Sequence, residues 1–225
     1  MPIQILRDLR GQFGDARDQN QRPTCLAFAA SDTHAALRSP WAPLSVEFAF
    51  HHAQRRAGRP ANVGATLPTI LKALEEDGQP IETGCPYLTI VPPRWIPASD
   101  IGPLFRRRGE NGGNTVGEVV AQLDGGRPVL VLLTLSSAFD FATSSAGIVD
   151  QQAGEPSNPN RRHAVVAVGH GLLGGKKIVL IRNSWGGEWG ERGHAWLTEA
   201  YLAPRVFRIG ILTEDPDVSA RTVAA

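Results

Sequence analysis

Residues 177–197 read KIVLIRNSWGGEWGERGHAWL, and this stretch carries the most specific pattern in the chain. It begins with aliphatic residues, passes through a segment rich in Gly and Trp, and ends on a second short apolar run. Short apolar runs bounded by glycine-rich turns are typical of β-strands. We therefore predict two strands, Lys177 to Arg182 and Ala195 to Leu197, on either side of an irregular turn.

The surrounding half of the chain is predicted to be rich in strands. Apolar runs of strand length occur at Pro128 to Leu135, His163 to Val168 and Val206 to Leu212. The glycines of Gly171 to Gly175 predict a turn between two of these strands. The segment Ser144 to Asn160 is rich in Ser, Gly, Pro and Asn, so we interpret it as a long loop of the kind that is often functional.

The first half of the chain has the periodicity of helices. Pro23-Thr24 precedes an Ala-rich run, which is a helix-start signal, and glycines follow the other apolar runs as stop signals. Helices are predicted from Cys25 towards Leu37, at Val46 to Arg56, at Leu67 to Glu76 and at Val116 to Leu123. The Pro- and Gly-rich stretch from Cys85 to Gly113 is predicted to be loop. Helices followed by strands indicate an α+β protein with two lobes.

Composition excludes several classes of protein. The net charge of the 225 residues is +1, so nothing global favours nucleic acid or an anionic membrane as a partner. No apolar run is long enough to span a bilayer, and no signal-peptide pattern stands at the first residues. The chain shows no metal-ligand spacing, no phosphate-binding glycine loop and no paired carboxylates, so we expect no metal and no cofactor. Two cysteines do not make a disulfide framework, and we expect a reduced, cytoplasmic protein.

Cys25 is the better candidate nucleophile of the two cysteines. A helix N-terminus offers backbone N–H groups and a positive dipole end, both of which stabilise a thiolate. The alternative is a small buried thiol in a core helix, and the cysteine alone does not decide between the two. Cys85 precedes Pro86 in a loop with no helix start behind it, so it is the weaker candidate.

A histidine is needed as the base, and six are present: His34, His51, His52, His163, His170 and His194. His34 lies nine residues along the same helix as Cys25, which places it on the opposite face. The pair His51-His52 ends another helix and is expected at the surface. His163 is predicted to open a strand at the lobe boundary, where it can face a cleft. His194, in a Gly-rich turn, is the next candidate.

Three segments together resemble the papain and cathepsin family of cysteine peptidases. Residues 18–29 read DQNQRPTCLAFA, residues 162–171 read RHAVVAVGHG and residues 181–193 read IRNSWGGEWGERG. They are similar to the family's cysteine, histidine and asparagine segments, and they occur in the same order. The histidine follows the cysteine by 138 residues, within the family's spacing of roughly 130–150.

The resemblance implies a role for each residue of the active site. Cys25 would be the nucleophile and His163 its base, with Asn183 accepting a hydrogen bond from the imidazole to orient it. The side-chain N–H of Gln19 would join the backbone N–H of Cys25 in an oxyanion hole. Trp185 would cover the bond between His163 and Asn183 and keep water away from it.

The resemblance also implies where the substrate binds. Ala65 stands where the family pairs with the substrate backbone, and Leu132, Arg161 and Arg162 fall near positions that shape the S2 pocket. The two arginines would then favour an acidic residue near P2, unless both point into solvent. Arg22 takes the place of the family's structural half-cystine, which implies the loss of a disulfide. Nearly all basic side chains are Arg, with Lys only at positions 72, 176 and 177, which indicates a bacterial source. We expect a bacterial type that also lacks a propeptide.

The implied fold is the papain-like one, with a helical lobe, a β-rich and barrel-like lobe, and the active site in the cleft between them. We expect residues 1–225 to form one catalytic unit, with residues 14–108 as the helical lobe and residues 109–215 as the β-rich lobe. Residues 1–10 are expected to pack on the β-rich lobe.

The expected function is hydrolysis of peptide bonds through a Cys25 thioester, with a protein or peptide as substrate. Two alternatives stay open: a ligase or cyclase that passes the acyl group to an amine, or an inactive papain-fold binding protein. The complete set of catalytic residues argues against the second. Control without a propeptide would come from a regulatory protein partner, expression or the long loop.

Overall fold

The computed structural model describes residues 2–143, 147–156, 158–213 and 215. The α-helices are Cys25–Ala36 (α1), Val46–Ala57 (α2), Leu67–Lys72 (α3), Val116–Asp124 (α4), Ser137–Asp140 (α5) and Glu199–Leu202 (α6). The strands are Ile3–Asp8 (β1), Gly109–Asn111 (β2), Val129–Leu135 (β3), Ile148–Val149 (β4), Asn158–Leu173 (β5), Lys176–Arg182 (β6), His194–Thr198 (β7) and Val206–Leu212 (β8). None of the helices in these described ranges is both long and apolar enough to cross a membrane.

The predicted helices are confirmed, and local capping explains their ends. α1 begins at Cys25, and nearly all of its residues are buried, the polar ones included. α2 begins where the side chain of Ser45 accepts a hydrogen bond from the backbone N–H of Phe48, and it ends at Gly58 with φ of 61°. α3 continues into a wider π-helical turn, Ala73–Asp77, so the third predicted helix is one residue longer than expected.

The strands form one sheet in the order β2-β8-β3-β5-β6-β7-β4, and β1 pairs antiparallel with β5. The long strand β5 is central, because it pairs with β1, β3 and β6. The predicted strands at positions 128–135, 177–182, 195–197 and 206–212 are confirmed with small shifts at their ends.

Two predictions about β5 and the segment before it are wrong in part. His163 does not open the strand, because pairing with β3 extends β5 back to Asn158, beyond its apolar run. The predicted loop Ser144 to Asn160 contains strand β4, which pairs with β7, and its last residues belong to β5. Positions 144–146 and 157 of that loop lie outside the described residues.

The turn between β5 and β6 is shorter than Gly171 to Gly175. β5 runs to Leu173, and the turn consists of Gly174 and Gly175, both with positive φ. Backbone pairing with β1 and β6 holds Gly171 in the strand. The glycine is needed there because a Cβ would lie 2.3 Å from the backbone oxygen of Gln4 on β1.

A buried ionic cluster fixes α1 to the sheet. Asp32, on α1, accepts a hydrogen bond from Nε of Arg182 at 2.8 Å and one from Nε of Arg17, also at 2.8 Å. Burial opposes ionisation of Asp32, but the two guanidinium groups hold the pKa of this carboxyl below its ordinary value. The side chain of Arg182 is 1% exposed. Because Arg182 ends β6, the cluster fixes the position of the next residue, Asn183, relative to α1.

Candidate active site

The sites predicted from the sequence meet at one cavity of about 730 Å³. All of the predicted site residues except Asn183 line it, namely Gln19, Cys25, Ala65, Leu132, Arg161, Arg162, His163 and Trp185. They come from α1, the loops before α1 and α3, strands β3 and β5, and the turn after β6. Asn183 lies behind His163, where it is 2% exposed.

Cys25 occupies the first position of α1, facing the cavity. Burial raises the pKa of its thiol, whereas the backbone groups of Ala164, Leu26 and Cys25 itself lower it. The net effect is a pKa above the ordinary value. The helix start therefore supplies hydrogen-bond donors to a thiolate, although the resting cavity favours the neutral thiol.

His163 and Asn183 form the hydrogen bond that the resemblance implies. Nε2 of His163 lies 2.7 Å from Oδ1 of Asn183. The backbone N–H of Ser184 donates to the same Oδ1 at 2.9 Å, which assigns this atom as the oxygen of the amide. Nε2 of the imidazole must then carry the proton, and Nδ1 keeps the lone pair that a base needs.

The ring of His163 is enclosed by aromatic side chains. Trp185 lies over it with ring centroids 4.9 Å apart, and Phe139 meets it edge-on at 5.8 Å. This enclosure is the main reason that the pKa of His163 falls to about 4, because burial penalises the charged imidazolium. Phe139, on α5, was not predicted, since nothing in its local sequence distinguishes it from a core residue.

Gln19 is held by two hydrogen bonds and is 7% exposed. Its Nε2 donates to the carbonyl of Arg22 at 2.8 Å, and its Oε1 accepts from the hydroxyl of Ser184 at 2.7 Å. The backbone N–H of Gln19 donates to the carbonyl of Ser184 at 2.8 Å. One N–H of the amide remains for a ligand, and Ser184 is a positioning residue that the sequence analysis did not single out.

The predicted substrate-binding residues differ in their surroundings. Leu132 is 9% exposed and forms part of the apolar wall. Arg161 forms two hydrogen bonds with the carboxylate of Asp140, at 3.0 and 2.8 Å. The guanidinium of Arg162 instead lies 5.5 Å from the centroid of the Phe207 ring.

The other cysteine lies away from the cavity. Cys85 is 5% exposed and packs with Phe48 and Ile101, and both cysteines are free. Burial is the main reason that the pKa of Cys85 is raised. A hydrogen bond with Ser45 opposes this effect, and the carboxylates of Glu47 and Glu82 add to it. Its surroundings are those of a core thiol.

The remaining histidines of the sequence analysis are engaged elsewhere. His34 is buried on α1, with Nδ1 3.0 Å from Oε1 of Gln79, and burial lowers its pKa to about 3. His51-His52 lies inside α2 and not at its end; both residues are half-buried, and His52 pairs with Asp77 at 3.0 Å. Nδ1 of His194 bonds the carbonyl of Arg192.

The described part of the chain contains no group of three or more His, Cys, Asp or Glu side chains able to hold a metal ion.

Comparison with known proteins connects this geometry to one family. A family model described as papain family cysteine protease matches residues 107–203. A cathepsin L-like proteinase of Fasciola hepatica is 27% identical over 188 residues, which cover 82% of this chain and 56% of the relative. Papaya proteinase 4 of Carica papaya is 37% identical over 94 residues, covering 39% of this chain and 26% of the relative. The chain thus spans about half the length of the first of these relatives and a smaller part of the second.

Solved structures agree in fold. Xylellain, a cysteine protease from Xylella fastidiosa, superposes with a TM-score of 0.76 and 19% identity over 92% of this chain and 85% of that one. The bromelain protease of Ananas comosus, solved with the E64 inhibitor, gives a TM-score of 0.75 and 20% identity over 92% and 98%. The papain-like α+β fold is therefore confirmed. The resemblance to the papain family of cysteine proteases is also confirmed. It extends in fold along nearly the whole chain and in sequence over residues 107–203.

Proposed function

We propose that this protein is a cysteine peptidase that hydrolyses peptide bonds through a thioester on Cys25. The observation that carries the proposal is the cavity that holds Cys25 at a helix start together with His163, whose Nε2 is 2.7 Å from Oδ1 of Asn183. A thiol, an oriented base and a free amide N–H in one cavity are the parts that acyl transfer needs.

Acylation begins when Sγ of Cys25 attacks the carbonyl carbon of the scissile bond. Nδ1 of His163 takes the thiol proton, and the carbonyl π electrons move onto the oxygen. The backbone N–H of Cys25 and Nε2 of Gln19 donate hydrogen bonds to this oxyanion. When the C–N bond breaks, the imidazolium returns the proton to the leaving amine and a thioester remains.

Deacylation repeats these steps with water. His163 takes a proton from the water molecule as its oxygen attacks the thioester carbon. The thiolate leaves, recovers the proton from the imidazolium, and the product acid departs. Asn183 keeps the imidazole in one orientation through both halves of the reaction, and Trp185 limits the access of bulk water to that hydrogen bond.

The deciding experiment combines labelling with turnover. The protein is incubated with an epoxide thiol-protease probe of the E-64 type, the labelled residue is located by mass spectrometry, and a peptide library is digested with the untreated protein. We expect one label, on Cys25, and loss of digestion in proportion to labelling. A protein that is neither labelled nor able to digest any peptide contradicts the proposal, and Cys25→Ala is the control for labelling elsewhere.

Two finer expectations accompany the proposal. The substrate is a protein or peptide, and we propose that a cytoplasmic protein partner controls the activity; both the location and the partner rest on the sequence alone. Fractionation of the native host, followed by probe labelling of each fraction, tests the first. Co-purification with Cys25→Ala as bait tests the second.

A further inference from the structure

The lining of the cavity that holds Cys25 is strongly basic. Its lining includes four arginines, Arg59, Arg161, Arg162 and Arg208, and in the described part of the chain it includes no Asp or Glu. The protein as a whole is nearly neutral, with a net charge of +1. The excess of positive charge is therefore a local property of the cavity and not of the overall composition.

Among the residues that the structure describes, only one of these arginines is neutralised by a neighbour. Arg161 forms a bidentate ion pair with Asp140, at 2.8 Å in its shorter contact. Within the ranges that the structure describes, Arg59, Arg162 and Arg208 have no ion pair with a carboxylate. Arg162 packs instead on the ring of Phe207, a contact that orients the guanidinium without cancelling its charge.

The register of the sheet places Arg208 beside the apolar wall of the cavity. Leu132 on β3 pairs with Ala164 on one side and with Arg208 on the other. Directly paired residues project their side chains to the same face, so Arg208 shares the cavity face with Leu132 and Ala164. Arg162 is two residues before Ala164 on β5 and faces the same side.

The distance to the reacting atoms follows from the same register. Ala164 is next to His163 on β5, and Arg208 lies on β8, two strands away from β5. The backbones of Ala164 and Arg208 are therefore about 10 Å apart at the usual spacing of strands. That distance is about three residues of extended chain. A substrate carboxylate near P2 can therefore meet Arg208 while the scissile bond lies at Cys25.

We propose that the cavity selects substrates with an acidic side chain at P2, held by Arg208 and Arg162 against the apolar surface of Leu132 and Phe207. Arg59, just beyond α2 on the opposite wall, adds positive potential. This inference rests on the proposed function, since it names the substrate class of the same site. It also reassigns the expected role of Arg161, whose charge is already taken up by Asp140.

The chemistry favours glutamate or aspartate over neutral side chains. A planar guanidinium matches a carboxylate and forms charge-assisted hydrogen bonds with it, and a partly apolar surround strengthens them. Arg162 and Arg208 are exposed at the cavity rim, so a bound carboxylate keeps part of its hydration. The preference is therefore expected to weaken as salt is added.

The test compares matched peptides that differ only in Glu or Gln at P2. We expect kcat/KM of the wild type to favour Glu by about tenfold at low salt, the size of one charge-assisted contact. Arg208→Gln and Arg162→Gln should each reduce this preference, and the double variant should abolish it. Arg161→Gln should change it by less than about twofold, since its charge is already paired.

A charge-matched control and a binding arm complete the experiment. Arg55 lies on α2 near Arg59 but does not line the cavity, so Arg55→Gln removes the same charge and should leave the preference unchanged. Binding of the same two peptides to Cys25→Ala is measured by fluorescence anisotropy. This arm reports selectivity without any turnover.

Each outcome supports or overturns the inference. Equal kcat/KM for Glu and Gln peptides in an active enzyme overturns it, as does an equal loss of preference in Arg55→Gln and Arg208→Gln. If no peptide is cleaved and the epoxide labels nothing, the proposed function has failed. The acidic selectivity is then judged by the binding arm alone, where equal affinity for the two peptides overturns it.

Discussion

The helix start around Cys25 and the loop around Cys85 place two thiols in different surroundings. Cys25 is half-buried at the cavity, whereas Cys85 is buried in the core. Burial is the largest influence on both and raises both pKa values. At Cys25, backbone groups of Ala164, Leu26 and Cys25 itself lower the pKa and partly offset the effect of burial. At Cys85 a hydrogen bond with the side chain of Ser45 lowers the pKa, and the carboxylates of Glu47 and Glu82 raise it.

The difference shows that burial alone does not distinguish a nucleophile from a core thiol. What distinguishes Cys25 is its position at a helix start and the presence of a base in the same cavity. His163 lines the cavity with Cys25, whereas Cys85 packs against Phe48 and Ile101.

The largest expected effect comes from removing each of the two thiols in turn. Cys25→Ala should reduce hydrolysis by about 10⁴-fold or more, because the covalent route is lost. Cys85→Ala should leave kcat/KM within about threefold, since Cys85 touches neither substrate nor base. Both are measured with the same fluorogenic peptide, and circular dichroism verifies folding. Full activity in Cys25→Ala together with a large loss in Cys85→Ala would reverse the assignment of the two thiols.

The next largest losses of activity are expected on substitution of His163 and Asn183, which support Cys25. His163→Ala should abolish acylation, to within the same range of about 10⁴-fold, because the proton acceptor is gone. Asn183→Ala should cost less, about 10²-fold, because it removes orientation and not the base. Single-turnover burst kinetics separate acylation from deacylation. Equal losses in the two variants would contradict a purely orienting role for Asn183.

Gln19 should show a smaller loss that falls on kcat. Gln19→Ala should lower kcat by about 10²-fold with little change in KM, as with other oxyanion donors. Ser184→Ala should lower kcat by less, because it only loosens the amide of Gln19 through the 2.7 Å hydrogen bond. A loss below twofold in Gln19→Ala would remove this residue from the oxyanion hole.

The dependence of activity on pH sharpens the comparison further. The active state shares one proton between Cys25 and His163. Below a pH of about 4, the pKa of His163, the imidazole gains a second proton and activity should fall. On the alkaline side, activity should fall only above the raised pKa of Cys25, when the shared proton is lost. A kcat/KM profile that has its acid limb near 6.5, or no acid limb, would contradict this assignment.

The pKa directions also bear on the form of the resting pair. A raised pKa for Cys25 and a lowered one for His163 favour neutral thiol and imidazole before substrate binds. The thiolate–imidazolium pair has the same number of protons, so the pH limbs do not separate the two forms. The ultraviolet absorbance of thiolate in wild type minus Cys25→Ala distinguishes the two forms.

The smallest expected effect concerns stability and leaves the active site untouched. The pKa of His34 falls from 6.5 to about 3 on folding. Between these two values the imidazole is protonated in the unfolded chain and neutral in the folded protein. The contribution of His34 to the free energy of unfolding is intact above pH 6.5 and is lost as pH falls towards 3. The free energy of unfolding then changes by at most about 1.4 kcal/mol per pH unit. His34→Gln should flatten the slope of unfolding free energy measured by urea denaturation between pH 6.5 and 5. An unchanged slope would contradict it.

Local signals in the sequence were enough for the helices and for much of the site. Pro23-Thr24 marked the start of α1, and Ser45 and Gly58 marked the ends of α2. The resemblance placed His163 and Asn183 in the same site, which spacing alone does not do, because they lie 20 residues apart and meet across neighbouring strands.

What the sequence did not predict depends on contacts between distant segments. The register of β8 against β3 brings Arg208 beside Leu132, and no local pattern encodes that register. The ion pair of Arg161 with Asp140 spans 21 residues, so the loss of its free charge was not visible either. For the same reason β5 extends back to Asn158, since its first residues are polar and are held in the strand by pairing with β3.

The cluster of Asp32, Arg17 and Arg182 sets a mechanical limit on the cleft. Opening the two lobes like a hinge would separate a buried carboxylate from its partners, which costs about 3–5 kcal/mol. We therefore expect the width of the entrance to vary little and to limit the thickness of whatever enters. We expect an extended polypeptide strand to be accepted and a folded domain to be refused. Chain termini, flexible linkers and unfolded polypeptides should accordingly be cut long before any compact protein.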